Sequence, residues 1–365
     1  MRKLPCPYTD PVPLFRHGGA AVRDGKPLLD FSVSVNPLGP PQTVLKVLRQ
    51  DLHAVARYPD PECQKLTAQL EALHAVEPNQ IVVGNGSNEL IYAIARACRP
   101  KRVAIAEPTY TEYLRASLLV GAEVDHWLAE GDTFELQPFN AEEADLVWLC
   151  NPNNPTGQLW AAQDLASWIK SQASSLFVVD EAFLPFLRYE AERSLIPATG
   201  ALTNLIVLRS LTKVFGLPGL RLGYAVSNAA LAERIRAQLV PWSVNALAQI
   251  AGLAALRDRD FMRETHAWLE TERLFLRNLD PLRNLEVMPS HSNFILLRLR
   301  GVTSGWLRQK LQSNGIEIRD ASNFVGLDSR FVRVAVRTAS DNVILLDQIW
   351  SFLATATEMF GVEEE

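Results

Sequence analysis

One lysine in this chain has neighbours that a surface lysine does not need. It lies in the stretch VLRSLTKVFGLPGLRLGY, where Lys213 comes shortly after Ser210 and shortly before Arg221. A serine hydroxyl and an arginine guanidinium can together bind a phosphate dianion. A lysine amine held beside that anion can form a Schiff base with an aldehyde. The stretch therefore predicts a lysine nucleophile next to a phosphate anchor.

A second polar cluster, GNGSNEL, follows a short apolar run and opens a helical pattern at residues 84–90. The backbone N–H groups of Gly86, Ser87 and Asn88 would lie at a helix N-terminus, which is a ready site for an anion. The same residues are also compatible with a tight turn and a helix cap that bind no ligand. The cluster therefore predicts an anion site only in combination with other residues.

Two further clusters follow apolar runs. CNPNNPTG has the prolines and asparagines of a rigid turn, which could hold the amide of Asn154 against a ligand, although a turn without a ligand has the same composition. VVDEAF places Asp180 at the end of an apolar run, where a carboxylate needs a partner because burying it alone is costly. A helix cap or a structural ion pair would also satisfy this carboxylate.

Together the clusters describe one site with a phosphate cup, an amide, a buried carboxylate and a lysine. Pyridoxal 5′-phosphate requires this set, because a carboxylate at its pyridine nitrogen lets the ring act as an electron sink. We therefore predict pyridoxal 5′-phosphate as the cofactor, with Lys213 and Asp180 as the catalytic residues. No metal site is predicted, since no pair of cysteines has the spacing of metal ligands.

The elements that would position these residues alternate from about residue 40 to about residue 245. Short runs rich in valine, isoleucine and leucine, typical of strands buried on both faces, are separated by amphipathic helical patterns. This alternation predicts an α/β fold with a mostly parallel central sheet flanked by helices. In such sheets ligands bind at the carboxyl ends of the strands, so the polar clusters should converge there. The predicted strands occupy residues 81–84, 102–107, 145–150, 176–182 and 204–210.

The pattern changes after about residue 250. A long amphipathic helix is followed by NFILLRLR, IEIRD and FVRVAVRT, which predicts a smaller α+β domain with an antiparallel sheet. We therefore expect an N-terminal arm that is also part of the small domain (1–39), a large cofactor-binding domain (40–250) and a small C-terminal domain (251–365).

Composition excludes several classes of function. The 365 residues are 48% hydrophobic, and a net charge of −5 gives no electrostatic footprint for nucleic acid or an anionic membrane. No run approaches the length of a membrane span, and the N-terminus has no apolar signal region. Four scattered cysteines are typical of reduced thiols. These observations predict a cytoplasmic protein with no nucleic-acid or membrane partner.

The motifs NPNNPTG, VVDEAF and SLTKVFGLPGLRLGY resemble the signature blocks of the fold-type I pyridoxal-phosphate enzymes, in particular the histidinol-phosphate aminotransferase branch. The resemblance covers nearly the whole chain. It implies that Tyr110 of EPTYTEY stacks on the cofactor ring and that Asn154 meets the ring's phenolate oxygen. It also implies that Tyr58 of ARYPDPE reaches the phosphate of the neighbouring subunit's cofactor, in a homodimer with shared active sites. The expected cofactor contacts are Gly86, Ser87, Asn88, Tyr110, Asn154, Asp180, Ser210, Lys213, Arg221 and Tyr58.

Other stretches are similar to the threonine-phosphate decarboxylases of cobalamin biosynthesis, which make (R)-1-amino-2-propanol O-2-phosphate from O-phospho-L-threonine. These stretches are residues 15–41, 240–252 and 316–338, together with Phe183, where transaminating relatives usually have a tyrosine. The resemblance implies a small phosphorylated amino acid as the substrate. The expected substrate contacts are His17, Gly18, Ser34, Asn154, Arg319 and Arg333.

Two features differ from the decarboxylase pattern. Ser34 stands where that pattern usually has an asparagine, and GNGSNE is closer to the aminotransferase form. An aminotransferase that resembles the histidinol-phosphate enzymes is therefore the alternative activity. A non-catalytic regulator that binds pyridoxal phosphate would normally be fused to a DNA-binding module, and nothing basic is appended here.

Overall fold

The strands and helices are those of a computed structural model, which describes residues 2–5, 15, 17–19, 22–23, 25–277 and 284–360. The strands are β1 (Arg2–Pro5), β2 (Val22–Arg23), β3 (Lys26–Pro27), β4 (Leu29–Asp30), β5 (Ile81–Gly84), β6 (Arg102–Glu107), β7 (Glu123–Leu128), β8 (Leu146–Cys150), β9 (Leu176–Asp180), β10 (Leu205–Ser210), β11 (Gly223–Ser227), β12 (Leu285–Val287), β13 (Phe294–Leu299), β14 (Ile316–Glu317), β15 (Arg319–Asp320) and β16 (Phe331–Ala335).

The helices complete the description of the elements. They are α1 (Gln42–Gln50), α2 (Gln64–His74), α3 (Gly86–Cys98), α4 (Glu112–Leu119), α5 (Ala162–Ser171), α6 (Glu190–Arg193), α7 (Leu211–Val214), α8 (Ala229–Arg236), α9 (Ala246–Arg257), α10 (Arg259–Arg277), α11 (Ser304–Ser313) and α12 (Ala339–Phe360). Among the residues described, no helix is long and apolar enough to cross a membrane.

The central sheet has the strand order β1-β7-β6-β8-β9-β10-β11-β5 over the described residues. The neighbours from β7 to β10 pair in parallel, whereas β11 is antiparallel to both β10 and β5, and β1 is antiparallel to β7. The sheet is therefore mixed but mostly parallel. This architecture confirms the predicted α/β class.

The middle strands form because their residues are apolar on both faces, as parallel strands covered by helices require. Every residue of β8 and of β10 is buried. On one face Trp148 of β8 stacks on Tyr113 of α4, with ring centroids 5.1 Å apart, and its indole N–H donates to Ser117 Oγ at 3.1 Å. Helix α4 is thereby fixed against the sheet next to the strand ends.

A second, antiparallel sheet with the order β12-β13-β16-β15 lies in the C-terminal part, as the sequence predicted. Strand β4 pairs with β14 through Leu29 and Ile316, so the segment before residue 40 is joined to the C-terminal part. The domain boundaries expected at residues 39 and 250 stay a prediction.

The carboxyl ends of the middle strands are tied together by a buried ion pair. Arg209 on β10 donates from Nε to Glu181 Oε2 at 2.9 Å, and from Nη1 to Glu190 Oε2 at 3.0 Å. Glu181 directly follows β9 and also accepts from Ser194 Oγ and from the Leu195 N–H, both at 2.7 Å. Arg209 and Glu181 are 2% and 0% exposed. The pair fixes the ends of β9 and β10 relative to each other, one residue away from Asp180 and Ser210.

We predict that Glu181→Gln lowers the free energy of unfolding by about 3 kcal/mol, because it leaves a buried guanidinium without its main counter-charge. Glu233→Gln, which breaks the exposed pair with Arg236, is the matched control and should change stability by less than about 0.5 kcal/mol. Urea denaturation of both variants checks this. Equal losses in the two variants would mean that the buried pair does not hold the strand ends.

Candidate active site

The predicted site residues meet in one cavity of about 210 Å³ at the carboxyl ends of β5, β8, β9 and β10. Parallel strands end at the same edge of a sheet, which is why residues so far apart in sequence meet there. The residues predicted from the sequence that line the cavity are His17, Gly18, Ser34, Ser87, Asn88, Tyr110, Asn154, Asp180, Phe183, Ser210, Lys213, Arg221, Arg319 and Arg333.

One end of the cavity is an anion cup at the N-terminus of α3. The first N–H groups of a helix have no partner within the helix and carry partial positive charge. Arg221 lies against Gly86, where an added Cβ atom would be only 2.6 Å from a guanidinium nitrogen of Arg221. Ser210 completes the cup, with its Oγ 2.8 Å from Thr212 Oγ1. Glycine at position 86 is therefore what lets the arginine approach the helix end.

Asp180 lies at the end of β9 with both carboxylate oxygens held. Tyr113 donates its hydroxyl to Oδ2 at 2.7 Å, and the Ala182 N–H donates to Oδ1 at 2.9 Å. Burial raises the pKa of Asp180, while these two donors and the nearby Lys213 oppose that rise. A cationic ligand atom beside Asp180 would stabilise its charged form further.

Lys213 lies on the short helix α7 and lines the cavity. Burial, followed by the positive charges of Arg333 and Arg221, lowers the pKa of its amine to about 8, and Asp180 opposes this shift. The neutral, nucleophilic amine is therefore much better populated near neutral pH than in a free lysine. Asn36 holds the turn in place, since its N–H donates to Lys213 O at 3.0 Å and its side chain donates to Val214 O at 2.8 Å.

The other end of the cavity has two arginines that face each other on neighbouring antiparallel strands, β15 and β16. Arg333 donates from Nη1 to Asn154 Oδ1 and from Nη2 to Ser32 O at 2.8 Å. Arg319 donates to Asp320 O at 2.9 Å and to Asn323 Oδ1 at 2.7 Å. Burial, and then mutual repulsion, lowers the pKa of Arg333 to about 9, and burial lowers that of Arg319 to about 10.

Two buried polar atoms of cavity-lining residues have no hydrogen-bond partner within the described part of the chain. They are Ser34 Oγ and Arg333 Nε. Buried polar atoms are nearly always satisfied in folded proteins, so these two indicate a place for a ligand or a water molecule.

His17 lies at the rim of the cavity, with its side chain 43% exposed. Its Nε2 is 2.7 Å from Glu112 Oε1, and its ring centroid is 5.7 Å from that of Tyr110. Tyr110 also donates its hydroxyl to Asn88 Oδ1 at 3.3 Å. The expected stacking of Tyr110 on a cofactor ring stays a prediction.

Two predicted residues do not line the cavity: Gly86, which lies directly behind the lining residue Arg221, and Tyr58, which lies on the surface. Tyr58 is 80% exposed and packs on Trp242, with ring centroids 4.9 Å apart. Its expected role concerned the cofactor of a neighbouring subunit, which one chain does not test.

Several residues of the site were missed by the sequence interpretation. Tyr113, the donor to Asp180, stands in the EPTYTEY block whose Tyr110 was singled out, and no spacing rule links it to a carboxylate 67 positions later. Asn36 and Glu112 were missed for the same reason, because their partners are distant in sequence.

We predict that Gly86→Ala weakens binding of pyridoxal 5′-phosphate by about tenfold or more, because the added Cβ displaces the Arg221 guanidinium. Gly121→Ala is the control: both glycines have a φ of +79°, but an added Cβ at position 121 has nothing within 4 Å. Absorbance titration of the apoenzyme with the cofactor measures both affinities. A similar loss in the two variants would attribute the effect to backbone strain alone.

The residues present fit pyridoxal 5′-phosphate. The cup beside Gly86 suits a phosphate, Asp180 is a buried carboxylate that a ring N–H⁺ would pair with, and Lys213 is an amine of lowered pKa. This set of donors has the chemistry that the cofactor needs.

Comparisons with known proteins agree with this interpretation. The chain is 40% identical to "Threonine-phosphate decarboxylase" of Salmonella typhimurium, over 87% of this chain and 89% of that protein. It is 33% identical to "Histidinol-phosphate aminotransferase" of a Thermoanaerobacter species, over 87% of this chain and 91% of the relative. The crystal structure of L-threonine-O-3-phosphate decarboxylase from Porphyromonas gingivalis superposes with a TM-score of 0.82 at 32% identity, covering 90% of this chain and all of that one.

The model of the family "Aminotransferase class I and II" matches residues 26–349. The match and the relatives confirm the expected fold-type I architecture, an enzyme and pyridoxal 5′-phosphate as the cofactor. The chain belongs to the class I and II aminotransferase family of pyridoxal-phosphate enzymes.

Proposed function

We propose that the chain decarboxylates O-phospho-L-threonine to (R)-1-amino-2-propanol O-2-phosphate, with pyridoxal 5′-phosphate as the cofactor and in the context of cobalamin biosynthesis. The 40% identity to the Salmonella typhimurium enzyme supports this substrate. The observation that carries the proposal is the presence of two buried guanidinium groups in one cavity, in addition to the anion cup that the cofactor would use.

Arg319 and Arg333 are 9% and 7% exposed. Among the described residues, neither has a carboxylate within the 4.0 Å of an ion pair. Burying a cation without an adjacent ion-pair partner is costly, and burial lowers the pKa of Arg319 and of Arg333 although Asp320 and Asp30, respectively, oppose the shift. A ligand with two anionic ends would remove this cost. A phosphorylated amino acid has both a phosphate and a carboxylate, so it supplies the missing charges.

Planar guanidinium groups also orient what they bind. An arginine holds a carboxylate or a phosphate by two parallel hydrogen bonds and so fixes its plane. Arg333 still has a free donor, Nε, within the described structure, and it is held by Asn154 and Ser32. We assign Arg319, Arg333 and His17 to the two anionic ends of the substrate. Gly18, Ser34 and Asn154 would complete its contacts.

When bound, the cofactor supplies an electron sink for the bond at the substrate's Cα that is broken. Lys213 would hold the cofactor covalently through its Nζ, and the amine of the substrate would take the place of this Nζ, leaving Lys213 as a free amine in the cavity. Asp180, oriented by Tyr113 and Ala182, would keep a proton on the ring nitrogen. Ser210, Arg221 and the N-terminus of α3 would anchor the cofactor's phosphate, and Asn154 would donate to its phenolate oxygen.

The orientation of the substrate decides which bond breaks. A decarboxylase must hold the carboxylate perpendicular to the cofactor ring, whereas an aminotransferase must hold the Cα–H bond there. Orientation of this kind can contribute about 7–11 kcal/mol to a barrier. Phe183 follows Asp180 closely, lines the cavity and packs edge-on against Phe294, with centroids 4.9 Å apart. It offers no hydroxyl, in keeping with the decarboxylase resemblance.

The alternative is an aminotransferase like the histidinol-phosphate enzymes. It is favoured by the 33% identity to the Thermoanaerobacter relative and by Ser34, whose buried hydroxyl has no partner in the described structure. Serine is shorter than asparagine, so a substrate contact at this position would need a bridging water.

We also propose a homodimer. Tyr58, Val55 and Leu52 are exposed by 80%, 65% and 60%, and Trp242 and Val240 by 49% and 69%. Exposed apolar residues grouped in this way are typical of a protein interface. In a dimer Tyr58 would reach the phosphate of the cofactor in the partner's site.

The proposed reaction predicts that O-phospho-L-threonine releases carbon dioxide when no keto acid is present. The purified holoenzyme is supplied with ¹⁴C-carboxyl-labelled substrate, and trapped radioactivity is measured. A requirement for 2-oxoglutarate, together with formation of glutamate, would establish the aminotransferase instead.

We further predict that Arg319→Lys and Arg333→Lys each raise the KM for O-phospho-L-threonine by about tenfold, because lysine keeps the charge but loses the two-pronged hydrogen bond. The affinity for the cofactor should change by less than about threefold, which absorbance titration checks. Arg308→Lys, at a partly exposed pair with Glu317 that does not line the cavity, is the control. Equal losses of cofactor and substrate affinity would make the two arginines structural.

A further inference from the structure

Glu112 is a buried carboxylate beside the site that none of the roles assigned above uses. It is the first residue of α4, its side chain is 2% exposed, and it does not line the cavity. It accepts hydrogen bonds from His17 Nε2 at 2.7 Å and from the Tyr92 hydroxyl, and Arg115 Nη1 is 3.8 Å away. The direct contact of Glu112 with a cavity-lining residue is the one with His17.

Glu112 is well suited to remain charged. Burial alone would raise its pKa, but the hydrogen bonds from His17 and Tyr92 outweigh burial and lower it. The positive end of the α4 dipole also favours a carboxylate in the first turn. On the α4 side of His17 the charged groups are Glu112 and, behind it, Arg115, while Tyr92 and Tyr110 are neutral neighbours. The charged groups on the cavity side, which line the same cavity as His17, are Asp180, Lys213, Arg221, Arg319 and Arg333.

The contact with Glu112 determines which proton His17 can offer. A carboxylate accepts, so Nε2 must carry a proton. In the neutral ring Nδ1 then has no proton and cannot donate to an anion. Only the protonated ring has an Nδ1–H as well. Glu112 therefore fixes Nε2 as a protonated nitrogen of His17 and leaves Nδ1 for contact with a ligand.

The backbone around His17 is fixed as well. Ser32 Oγ accepts from the Gly19 N–H at 3.0 Å and itself donates to Asp30 Oδ1 at 2.6 Å. A Cβ atom at Gly18 would lie 2.5 Å from Ser32 Oγ, so only glycine allows this approach. The ring of His17 is thus held from two sides, by Ser32 at the backbone and by Glu112 at Nε2.

We propose that Glu112 is a positioning residue that fixes the ring of His17 through Nε2, with a negative charge behind it, so that Nδ1 contacts the phosphate group of the substrate. This inference rests on the proposed function in so far as it takes the substrate to be phosphorylated. Its structural rival is that Glu112 only joins α4 to α3 through Tyr92.

A double-mutant cycle distinguishes a Glu112 that positions His17 from one that only joins α4 to α3. KM and kcat for O-phospho-L-threonine are measured for the wild-type holoenzyme, Glu112→Gln, His17→Ala and the double variant. Glutamine keeps the shape of Glu112 and removes its charge. We expect Glu112→Gln to raise KM by about tenfold, the loss of one charge-assisted hydrogen bond, with a much smaller change in kcat. In the His17→Ala background the same substitution should change KM by less than about twofold.

Binding without turnover gives a second readout. The cofactor is reduced onto Lys213 with borohydride, and calorimetry measures the affinity of this inert holoenzyme for O-phospho-L-threonine across the same four proteins. Glu112→Gln should weaken this affinity by about the same factor as it raises KM, and the effect should again be lost in the His17→Ala background. Glu270→Gln, which breaks an exposed pair with Arg188, is the matched control and should leave both readouts unchanged.

Three outcomes would overturn the proposal. The effects of the two substitutions on KM could add in the double variant, KM could stay unchanged in Glu112→Gln, or kcat could fall by as large a factor as KM rises. If Glu112→Gln does not fold, Glu112→Asp replaces it, because the shorter side chain keeps the charge but moves it away from His17 Nε2. The rise in KM caused by Glu112→Asp should likewise disappear in the His17→Ala background.

The cycle is repeated with L-histidinol phosphate. Coupling seen with that ligand alone would support the role of Glu112 and refute the proposed substrate. If O-phospho-L-threonine is decarboxylated but the effects of the two substitutions on KM simply add, the proposed substrate is supported and the role of Glu112 is refuted.

Discussion

The site depends on a surplus of positive charge around one cavity that the chain does not neutralise by itself. Lys213, Arg221, Arg319 and Arg333 line this cavity, and Asp180 is the acidic residue among those that line it. Burial in a medium of low polarity, and then repulsion between these charges, lowers the pKa of Lys213 to about 8 and that of Arg333 to about 9. Anionic ligands, such as the cofactor and substrate proposed above, would remove this repulsion.

Such an arrangement requires a rigid frame, because an unpaired buried charge is otherwise relieved by local opening toward water. The frame here consists of the parallel strands and of the Arg209–Glu181 pair that joins the ends of β9 and β10. This pair is neutral overall and is satisfied by Ser194, Leu195 and Glu190. Paired charges hold the frame, and the charges without an adjacent counter-ion are those proposed to bind ligands. The buried arginines Arg209 and Arg333 thus differ in their partners and not in their burial.

The sequence allowed the middle of the sheet to be predicted almost residue by residue, because continuous apolar runs have few alternatives. The run at 81–84 is β5, and the run at 102–107 is β6. Strands β7 and β11 were not predicted. Strand β7 mixes charged and apolar residues in EVDHWL, and β11 begins at a glycine directly after the turn that contains Arg221. Neither has a run of apolar residues long enough to stand out, and their pairing with neighbours is a tertiary property.

Tertiary contacts, which leave no pattern in the sequence, also separate the site residues that could be predicted from those that could not. Residues that follow a buried strand, such as Asp180 and Ser210, could be predicted to meet, because parallel strands bring their carboxyl ends to one edge. Tyr113, Asn36 and Glu112 could not, because each is identified only by a partner on another element. A hydrogen bond between side chains 67 positions apart leaves no periodicity in the sequence.

This division also bears on how one fold can carry out different reactions. Solved structures named for decarboxylation and for transamination share this architecture. The residues proposed to anchor the cofactor lie at the carboxyl ends of strands of the central sheet and on the helices and turns that follow them. The residues proposed to orient the substrate come from elsewhere: His17 and Ser34 from the N-terminal segment, and Arg319 and Arg333 from the antiparallel sheet. Since β4 pairs with β14, these two parts are joined to each other. The residues proposed to orient the substrate thus belong to one joined unit, separate from the strand ends and turn that carry Asp180 and Lys213. Substitutions in that unit can therefore change the orientation of a substrate without altering those two residues.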